Sequence, residues 1–569
     1  MRTAALLSAV SAMASCALLA ADPYVGYIYP AGIRAGETNR LLIGGQNLGQ
    51  VRGAHFSGNG LRVLKIKSVP SFAPPSGPQR KHLVKWLDGI AAGHPEEPPL
   101  PEDPHLDEWR SNSWWSALGT LDRGQIAIVE KDLFVPKNAL QSTPSLRQRL
   151  LVTVTADASA KPGRGELCLY GPNGISAPRP FEISAATHVE EPLYAPPHRP
   201  APEPPPVNVP QGGEVVLDGQ IMPGQTDAFR LRLGKHRRYS FKVTARELQP
   251  YIGDAVPGFF NTSISLKDES GATVASADDD MRFRPDPVMA FSPVADGMYR
   301  LEINDVLYRG RDDFVYSITV SEGYAPPGEA PRADGVVGPG EVARKAIHVR
   351  KPGRTVLEVF ARRLGSPLDA VLTLRRRPGG PILARWDDVT NTVFVGTIPQ
   401  AECDPRGEYF FKEPGEYVAE ISDRTGHGGP GYFWRLDAHP PRPGFAVYST
   451  RSTLPLKANN PLKAKFHVVR HDGFGGAVKL EFPKEALCTG CVATAGVDVV
   501  TAQLLANGPG IPEPRPVQVF ASAEIGGRKV RVPVVPCDEY EQAFAWKHLV
   551  PAKTFLITSQ GRRKRPKSP

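Results

Sequence analysis

The chain repeats itself. The stretch "GQIMPGQTDAFRLRLGKHRRYSFKVTAREL" from residue 219 aligns without a gap on "GVVGPGEVARKAIHVRKPGRTVLEVFARRL" from residue 335, an offset of 116. Pro223 and Gly224 fall on Pro339 and Gly340, Val243 on Val359, and Ala245-Arg246 on Ala361-Arg362. "VASADD" at 274 answers "LARWDD" at 383. Further on, "RLEINDVLYRGRDDFVYSITV" at 300–320 aligns on "VAEISDRTGHGGPGYFWRLDA" at 418–438 with an offset of 118. Glu302 falls there on Glu420, Ile303 on Ile421, Asp305 on Asp423, Gly310 on Gly428, Phe314 on Tyr432 and Tyr316 on Trp434. Loop lengths drift while the strand-like stretches keep step, as expected of two copies of one fold, because loops tolerate changes that packed strands do not. Residues near 214–322 and 330–438 are therefore expected to be sibling modules, and the echoed segment a building block.

What the module is built from follows from the composition. With 59 prolines and 55 glycines in 569 residues and 41% hydrophobic content, the chain favours short strands ended by turns over long helices. The expected class is all-β: tandem antiparallel β-sandwiches, with a partly helical insertion in the first. After residues 1–21, the first unit covers 22–187, with strands near 39–44, 52–56 and 61–68. Its alternating pattern is interrupted at 72–146 by helix-like spacing in "GPQRKHLVKWLDGIAAG" and "DPHLDEWRSNSWWSALGTL". Residues 188–210 are too rich in proline for a helix or a central strand and read as a stiff linker. The repeated modules take 211–323 and 324–439, and a further sandwich takes 440–537. Residues 538–569 form a C-terminal segment, in which "EQAFAWKHLVPAKTFLITSQ" fits a helix or a closing strand.

The opening "MRTAALLSAVSAMASCALLAADPY" has the form of a secretory leader: Arg2, an apolar run from Ala4 to Leu19, and small residues Ala20 and Ala21 before the cut. The expected location is the periplasm or outside the cell. "MASC" at 13–16 offers Cys16 as a minor lipoprotein alternative. The apolar run is too short for a membrane anchor. The net charge of +9 owes much to the tail "GRRKRPKSP", and elsewhere charges are mixed, which argues against nucleic-acid binding. Five scattered cysteines beyond the leader are too few for a disulfide scaffold, so hydrophobic cores must hold the modules.

Few residues suggest chemistry. Asp278, Asp279, Asp280 and Asp286 crowd one loop, and Asp312 and Asp313 another. Calcium takes six to eight oxygens, so converging carboxylates of this kind could hold it. Arg282, Arg284, Arg309 and Arg311 are interleaved, however, and paired charges bracing the loops are the competing reading. Asp387 and Asp388 repeat the theme with fewer ligands. Cys488 and Cys491 have redox-motif spacing, but no helix start follows a strand there. Haem attachment would need His where Val492 stands, and zinc a second ligand pair. A local disulfide or a reduced pair remains. Trp109, Trp114 and Trp115 could stack on a sugar or pin the insertion to its sandwich. No HExxH or GxSxG motif occurs, and His236, His348, His427 and His471 have no obvious Ser or Cys partner. A triad assembled across modules is not visible at this level.

The unit from "GQIMPGQTDAFRLRL" through "RFRPDP" and "LYRGRDDFVY" resembles the bacterial pre-peptidase C-terminal domain, a jelly-roll-like β-sandwich attached to many secreted proteins. The wider order is similar to that of large exported proteins of planctomycete-type bacteria. In these an immunoglobulin-like domain opening with "YPAG" and ending in "PNGISAPRPFEI" precedes two such domains, and "RHDGFGGAVKLEF" and "QAFAWKHLVPA" follow. The second copy departs from the pattern, since "RTGHGGPGYFW" lacks the acidic pair. The resemblance implies a string of four sandwiches, immunoglobulin-like at both ends. The expected role is non-catalytic display of loops and sheet faces to a cell-envelope protein or polysaccharide, with no cofactor unless calcium and with a monomer sufficient. The alternative is an accessory subunit of a secreted hydrolase or peptidase, or a hydrolase whose site has no motif.

Overall fold

The computed structural model describes residues 21–58, 60–69, 84–85, 87–89, 148–191, 203–249, 259–280, 286–323, 333–388, 404–542 and 546–560. The leader, Cys16, Trp109, Trp114, Trp115, Arg282, Arg284 and the basic tail lie outside them. Among the described residues the regular elements are almost all strands, arranged in sheets. The all-β expectation holds.

In the first sandwich Tyr24–Tyr29, Thr38–Gln46, Gln148–Ala156 and Leu61–Val69 form one sheet in that order. Gly32–Arg34, Arg179–Ser184, Gly163–Gly171 and Gly53–Phe56 form the other. "QRLLVTVTA" at 148–156 shows why: Leu150, Val152, Val154 and Ala156 are buried while their neighbours are not, the two-residue period of a half-buried strand. They meet Ile33, Leu41, Leu167 and Phe181 in one core. Val69 pairs with Arg149, so the strands on either side of residues 70–147 are hydrogen-bonded neighbours. Residues 84–85 and 87–89 within that interval are helical.

The two repeated stretches fold with the same strand order. In one sheet of the first copy the order is Glu214–Gln220, Val315–Glu322, Tyr239–Thr244, Val288–Phe291; in the second it is Gly335–Val336, Phe433–His439, Gly353–Phe360, Arg406–Phe411. The facing sheets run Asp227–Leu233, Gly297–Asp305, Thr262–Lys267, Thr273–Ala277 and Val342–Val349, Gly415–Asp423, Ala370–Arg375, Ile382–Trp386. Register agrees as well. Gly219 opposes Tyr316 as Gly335 opposes Trp434, and Val243 opposes Ile318 as Val359 opposes Leu436. Ala228 opposes Glu302 as Arg344 opposes Glu420. A one-residue slip would turn every core side chain to the wrong face, so this agreement is specified by the buried layer. Phe241, Ile264, Leu301 and Ile303 of one core are answered by Leu357, Leu372, Ala419 and Ile421 of the other.

Two expectations need correction. The proline-rich interval, read as a stiff linker, is paired into sheets at both ends. Thr187–Glu190 lies parallel beside Glu214–Gln220, and Pro206–Asn208 parallel beside Asp227–Leu233, each as an edge strand of the first repeat module. An edge position suits proline, which cannot donate to a second ladder. The segment after 538 is likewise no appendage: Phe555–Gln560 is the middle strand between Thr453–Lys457 and Ile511–Val517, with Phe555 and Ile557 in the last core. This settles the helix-or-strand question for the described part of that segment in favour of strands.

Nor are the four sandwiches strung out in line. The last one packs on the first. Arg451 sits 2.7 Å from Asp22, the Lys553 backbone N–H donates to the Glu166 carboxylate at 2.9 and 3.0 Å, and Gln560 Nε2 donates to the Pro172 carbonyl at 2.8 Å. Cys168, Ile175 and Leu556 share an apolar cluster across that contact. Arg406 and Asp472 pair across the junction of the third and fourth units.

Candidate functional site

The acidic residues separate into two kinds. Asp286 is 1% exposed and accepts the backbone N–H groups of Ala245 and Arg246, both at 2.8 Å. Burial pushes its carboxyl up to about 6, against those two donors. Asp404 does the same work in the second copy, accepting from the N–H groups of Arg362 and Arg363. Asp313, also 1% exposed, is gripped from two sides by Arg311, Nε to Oδ1 at 2.6 Å and Nη2 to Oδ2 at 3.0 Å. All three carboxylates brace the structure through charge-assisted hydrogen bonds. Asp278 and Asp279 are exposed at the end of Thr273–Ala277, beside the half-buried Asp280, and the Asp312 carbonyl accepts from Gln220 Nε2 at 2.6 Å. The six do not bring three carboxylate oxygens within 4.8 Å of one another.

Among the described residues the group that does is Asp369, Asp387 and Asp388 in the second copy. Sequence reading found the last two and missed Asp369, which is distant in the chain. Arg362 lies 3.2 Å from Asp369 and Arg424 3.3 Å from Asp387. Burial, then the charge of Asp369, raises the Asp388 carboxyl to about 6.

The loop after Asp305 is where the two copies can be compared atom by atom. Asp305 is fully buried and accepts the N–H groups of Asn261, Leu307 and Arg309 at 3.0–3.1 Å. Asp423 accepts those of Asp369, Thr425 and His427 at 2.9–3.0 Å, the matching positions. Gly224 donates to the Tyr308 carbonyl at 2.9 Å, and Gly340 to that of Gly426 at 2.9 Å. Gly310 and Gly428 sit so close to the facing turn that an added Cβ would come within 2.2 Å of the Met222 or Gly338 carbonyl carbon. Only glycine permits that approach.

On this common frame the tips differ. The first copy shows Val306, Leu307 and Tyr308 at 38%, 69% and 58% exposure, where the second has exposed Arg424, Thr425 and Gly426. Tyr308 is held at φ 52°, a left-handed conformation that its counterpart Gly426 adopts at φ 79° without penalty. For a side chain as large as tyrosine that conformation costs about 1–2 kcal/mol. The frame demands none of this, because the sister loop is built without it. The tip stands at the same sheet end as Asp278–Asp280, since Thr262 pairs with Asp305 and Ile264 with Ala277.

A Ser–His–Asp arrangement does exist, at a place the sequence did not reveal. His188 Nδ1 lies 2.7 Å from Asp218 and its Nε2 2.9 Å from Ser184 Oγ. Ser184 is 2% and Asp218 0% exposed. The Ser184 hydroxyl donates to the Ala186 carbonyl at 3.1 Å, so toward the imidazole it acts as acceptor. Both ring nitrogens then donate, which describes an imidazolium. Burial pulls this histidine down, but the Asp218 hydrogen bond and charge, with Glu182 and Glu37, outweigh it and leave the pKa raised. Catalysis by a triad needs the reverse polarity, a serine that gives its proton to a neutral imidazole and meets substrate. His236, His348, His427 and His471 are all exposed.

Cys488 and Cys491 are disulfide-bonded, with Cα atoms 6.2 Å apart. They connect Ala486–Thr489 of one sheet to Val492–Ala493 of the facing sheet. Cys168 and Cys537 are free and buried; burial lifts both thiols, Cys537 to about 12, which leaves them protonated at neutral pH.

No family model matches the chain, and no curated protein matches it. Solved structures that align with it include Dpr2 Ig1-Ig2 in complex with DIP-Theta Ig1-Ig3, at 8% identity over 58% of this chain and 95% of that one, with a TM-score of 0.13. A Dscam structure aligns at 8% identity over 69% and 84%, TM-score 0.11, and the ICAM-5 D1-D4 ectodomain fragment at 9% over 93% and 99%, TM-score 0.11. At these TM-scores the likenesses carry no argument, and the β-sandwich assignment rests on the strand orders given above.

Proposed function

We propose that the protein is a non-catalytic binding scaffold of four β-sandwiches, exported to the periplasm or cell surface, whose two middle modules are of the pre-peptidase C-terminal kind. The observation that carries this is the Val306–Leu307–Tyr308 tip: exposed apolar residues on a braced loop, one of them in a conformation that costs stability, where the sister copy dispenses with them. Residues that cost stability on a rigid frame mark a surface used for binding. The tip offers exposed apolar side chains, so the partner we infer is a protein surface with an apolar recess, and the nearby acidic residues favour basic groups at the recess rim. The export reading rests on the leader. No helix among the described residues is long and apolar enough to cross a membrane.

The test grafts the sister loop into the first copy, Val306→Arg, Leu307→Thr and Tyr308→Gly together, in the full chain. Affinity capture from the native envelope with the parent chain should recover partners that the grafted chain fails to retain. Identical recovery with both would remove the tip from the account.

The alternative, a hydrolase with a hidden site, has one observation in its favour, the Ser184–His188–Asp218 geometry. Its burial and the direction of the Ser184 hydroxyl count against it. A fluorophosphonate probe is expected to leave Ser184 unlabelled; stoichiometric labelling there would revive the enzyme reading.

A further inference from the structure

The face of the first repeat module that carries Asp218 should be wet, because Val215 and Leu217 point into that module's own core. Yet Val216, Asp218 and Gln220 are buried, at 5%, 0% and 3% exposure. What covers them is the first sandwich. Thr187–Glu190 leaves it and lies down beside Glu214–Gln220. Tyr27, Ala31, Leu42 and Val69 of the first sandwich cluster with Leu248 and Val315 of the module. Gln249 Nε2 donates to the Gly26 carbonyl. A buried carboxylate thus sits at a joint between two folded units, and its cation is a histidine.

We propose that His188 makes this joint responsive to pH: protonated, it bridges Asp218 of the module and Ser184 of the first sandwich and holds the two together, and deprotonated, it loosens them. The surroundings of the ring support a titration with this consequence. Asp218 faces it from Glu214–Gln220, and Ser317 on the next strand donates to the other Asp218 oxygen. From the first sandwich come Ser184 and Glu182 on Arg179–Ser184 and Glu37 before Thr38–Gln46, while Tyr29 at the end of Tyr24–Tyr29 is within electrostatic reach of Asp218. Glu37 itself lies 3.6 Å from Arg34. Glu190, on the histidine's own strand, is held by Asn39 Nδ2 at 3.0 Å, and Glu191 follows it. Gly32 packs edge-on, with room for no Cβ, since one would lie 2.8 Å from His188 Cε1. The ionisable neighbours of the ring are mostly acidic and favour the cation. Losing its proton leaves Asp218 as a buried anion without a countercharge, a costly state.

The sign follows from linkage. A histidine whose folded pKa is raised stabilises the closed joint below its ordinary pKa of about 6.5, and that contribution is lost as pH rises through the folded value. Each unit of elevation corresponds to about a tenfold change in the opening equilibrium. The test is hydrogen exchange of the full chain from pH 5.5 to 9, corrected for the intrinsic exchange rate. Protection of residues 187–190 and 214–220 should fall as pH rises through the titration, while Leu462–His471 and Val499–Ala506 of the fourth sandwich keep theirs. His188→Gln should hold the joint at its high-pH level throughout, and Asp218→Asn should flatten the profile. A parent chain whose joint follows the fourth sandwich at every pH overturns the proposal without reference to any variant. So does an Asp218→Asn chain that keeps the parent slope.

Discussion

Tyr308 and Asp286 show how single residues divide between use and support. Tyr308 occupies a left-handed backbone position that Gly426 fills in the sister copy. Tyr308→Gly is therefore expected to leave stability unchanged or raise it by up to about 1 kcal/mol, measured by denaturant unfolding, while weakening partner capture. Asp286 is the opposite case, a buried group whose folded pKa stands near 6 against 3.8 for a free carboxyl. A raised acid stabilises the fold most fully below its unfolded pKa, and that part is lost as pH climbs through the folded one. The expected cost between pH 4 and 7 is on the order of 2–3 kcal/mol. Asp286→Asn should make the melting temperature of the first repeat module nearly level over that window. An unaltered slope would mean that the two backbone donors dominate over burial.

At the level of strands and turns, the repeat was open to reading because its evidence is local. Alternation, Pro–Gly turns and a fixed offset all survive in a linear string, and pairs such as Val243–Ile318 and Val359–Leu436 follow from them. The edge roles of Thr187–Glu190 and Pro206–Asn208 were hidden, because proline-rich composition describes what a segment cannot form and not what it lies beside. Ser184, His188 and Asp218 carry no signature for a similar reason. They are four and 30 residues apart, on strands of different folded units, and only the packed joint brings them together. The Cys488–Cys491 link was legible as a local pairing, though its role in tying one sheet to the other was not. It closes so few residues that its removal by Cys488→Ser and Cys491→Ser should cost only about 2 kcal/mol in denaturant unfolding, and reduction of the parent chain should match it.

For the molecule as a whole, the docking of the fourth sandwich on the first decides the shape. Arg179 is among the largest fully buried side chains; its Nε donates to the Val25 carbonyl at 2.8 Å and its guanidinium lies 5.0 Å from the Tyr540 ring. Its charge and that of Arg451 favour ionised Asp538, which burial raises and which holds Ser452. Arg179→Ala removes that charge and the bond to the Val25 carbonyl from a buried contact, a loss on the order of 1.5–3 kcal/mol for a hydrogen bond to a charged group. Small-angle scattering should show a larger radius of gyration for the variant, with the strand content unchanged by circular dichroism. Equal radii would mean that the surrounding apolar contacts suffice. Contacts such as Asp22–Arg451 join residues from opposite ends of the chain, and no linear pattern foretells them.

The first sandwich brings the two ends of a long interval of chain side by side. Val69 and Arg149 face each other across the ladder, so the chain departs from and rejoins its sheet at adjoining rungs. Whatever occupies the interval between them can be lengthened, shortened or exchanged while the flanking rungs still meet. A lineage carrying this architecture could acquire a new specificity at that port while the Val69 and Arg149 rungs still close the sheet.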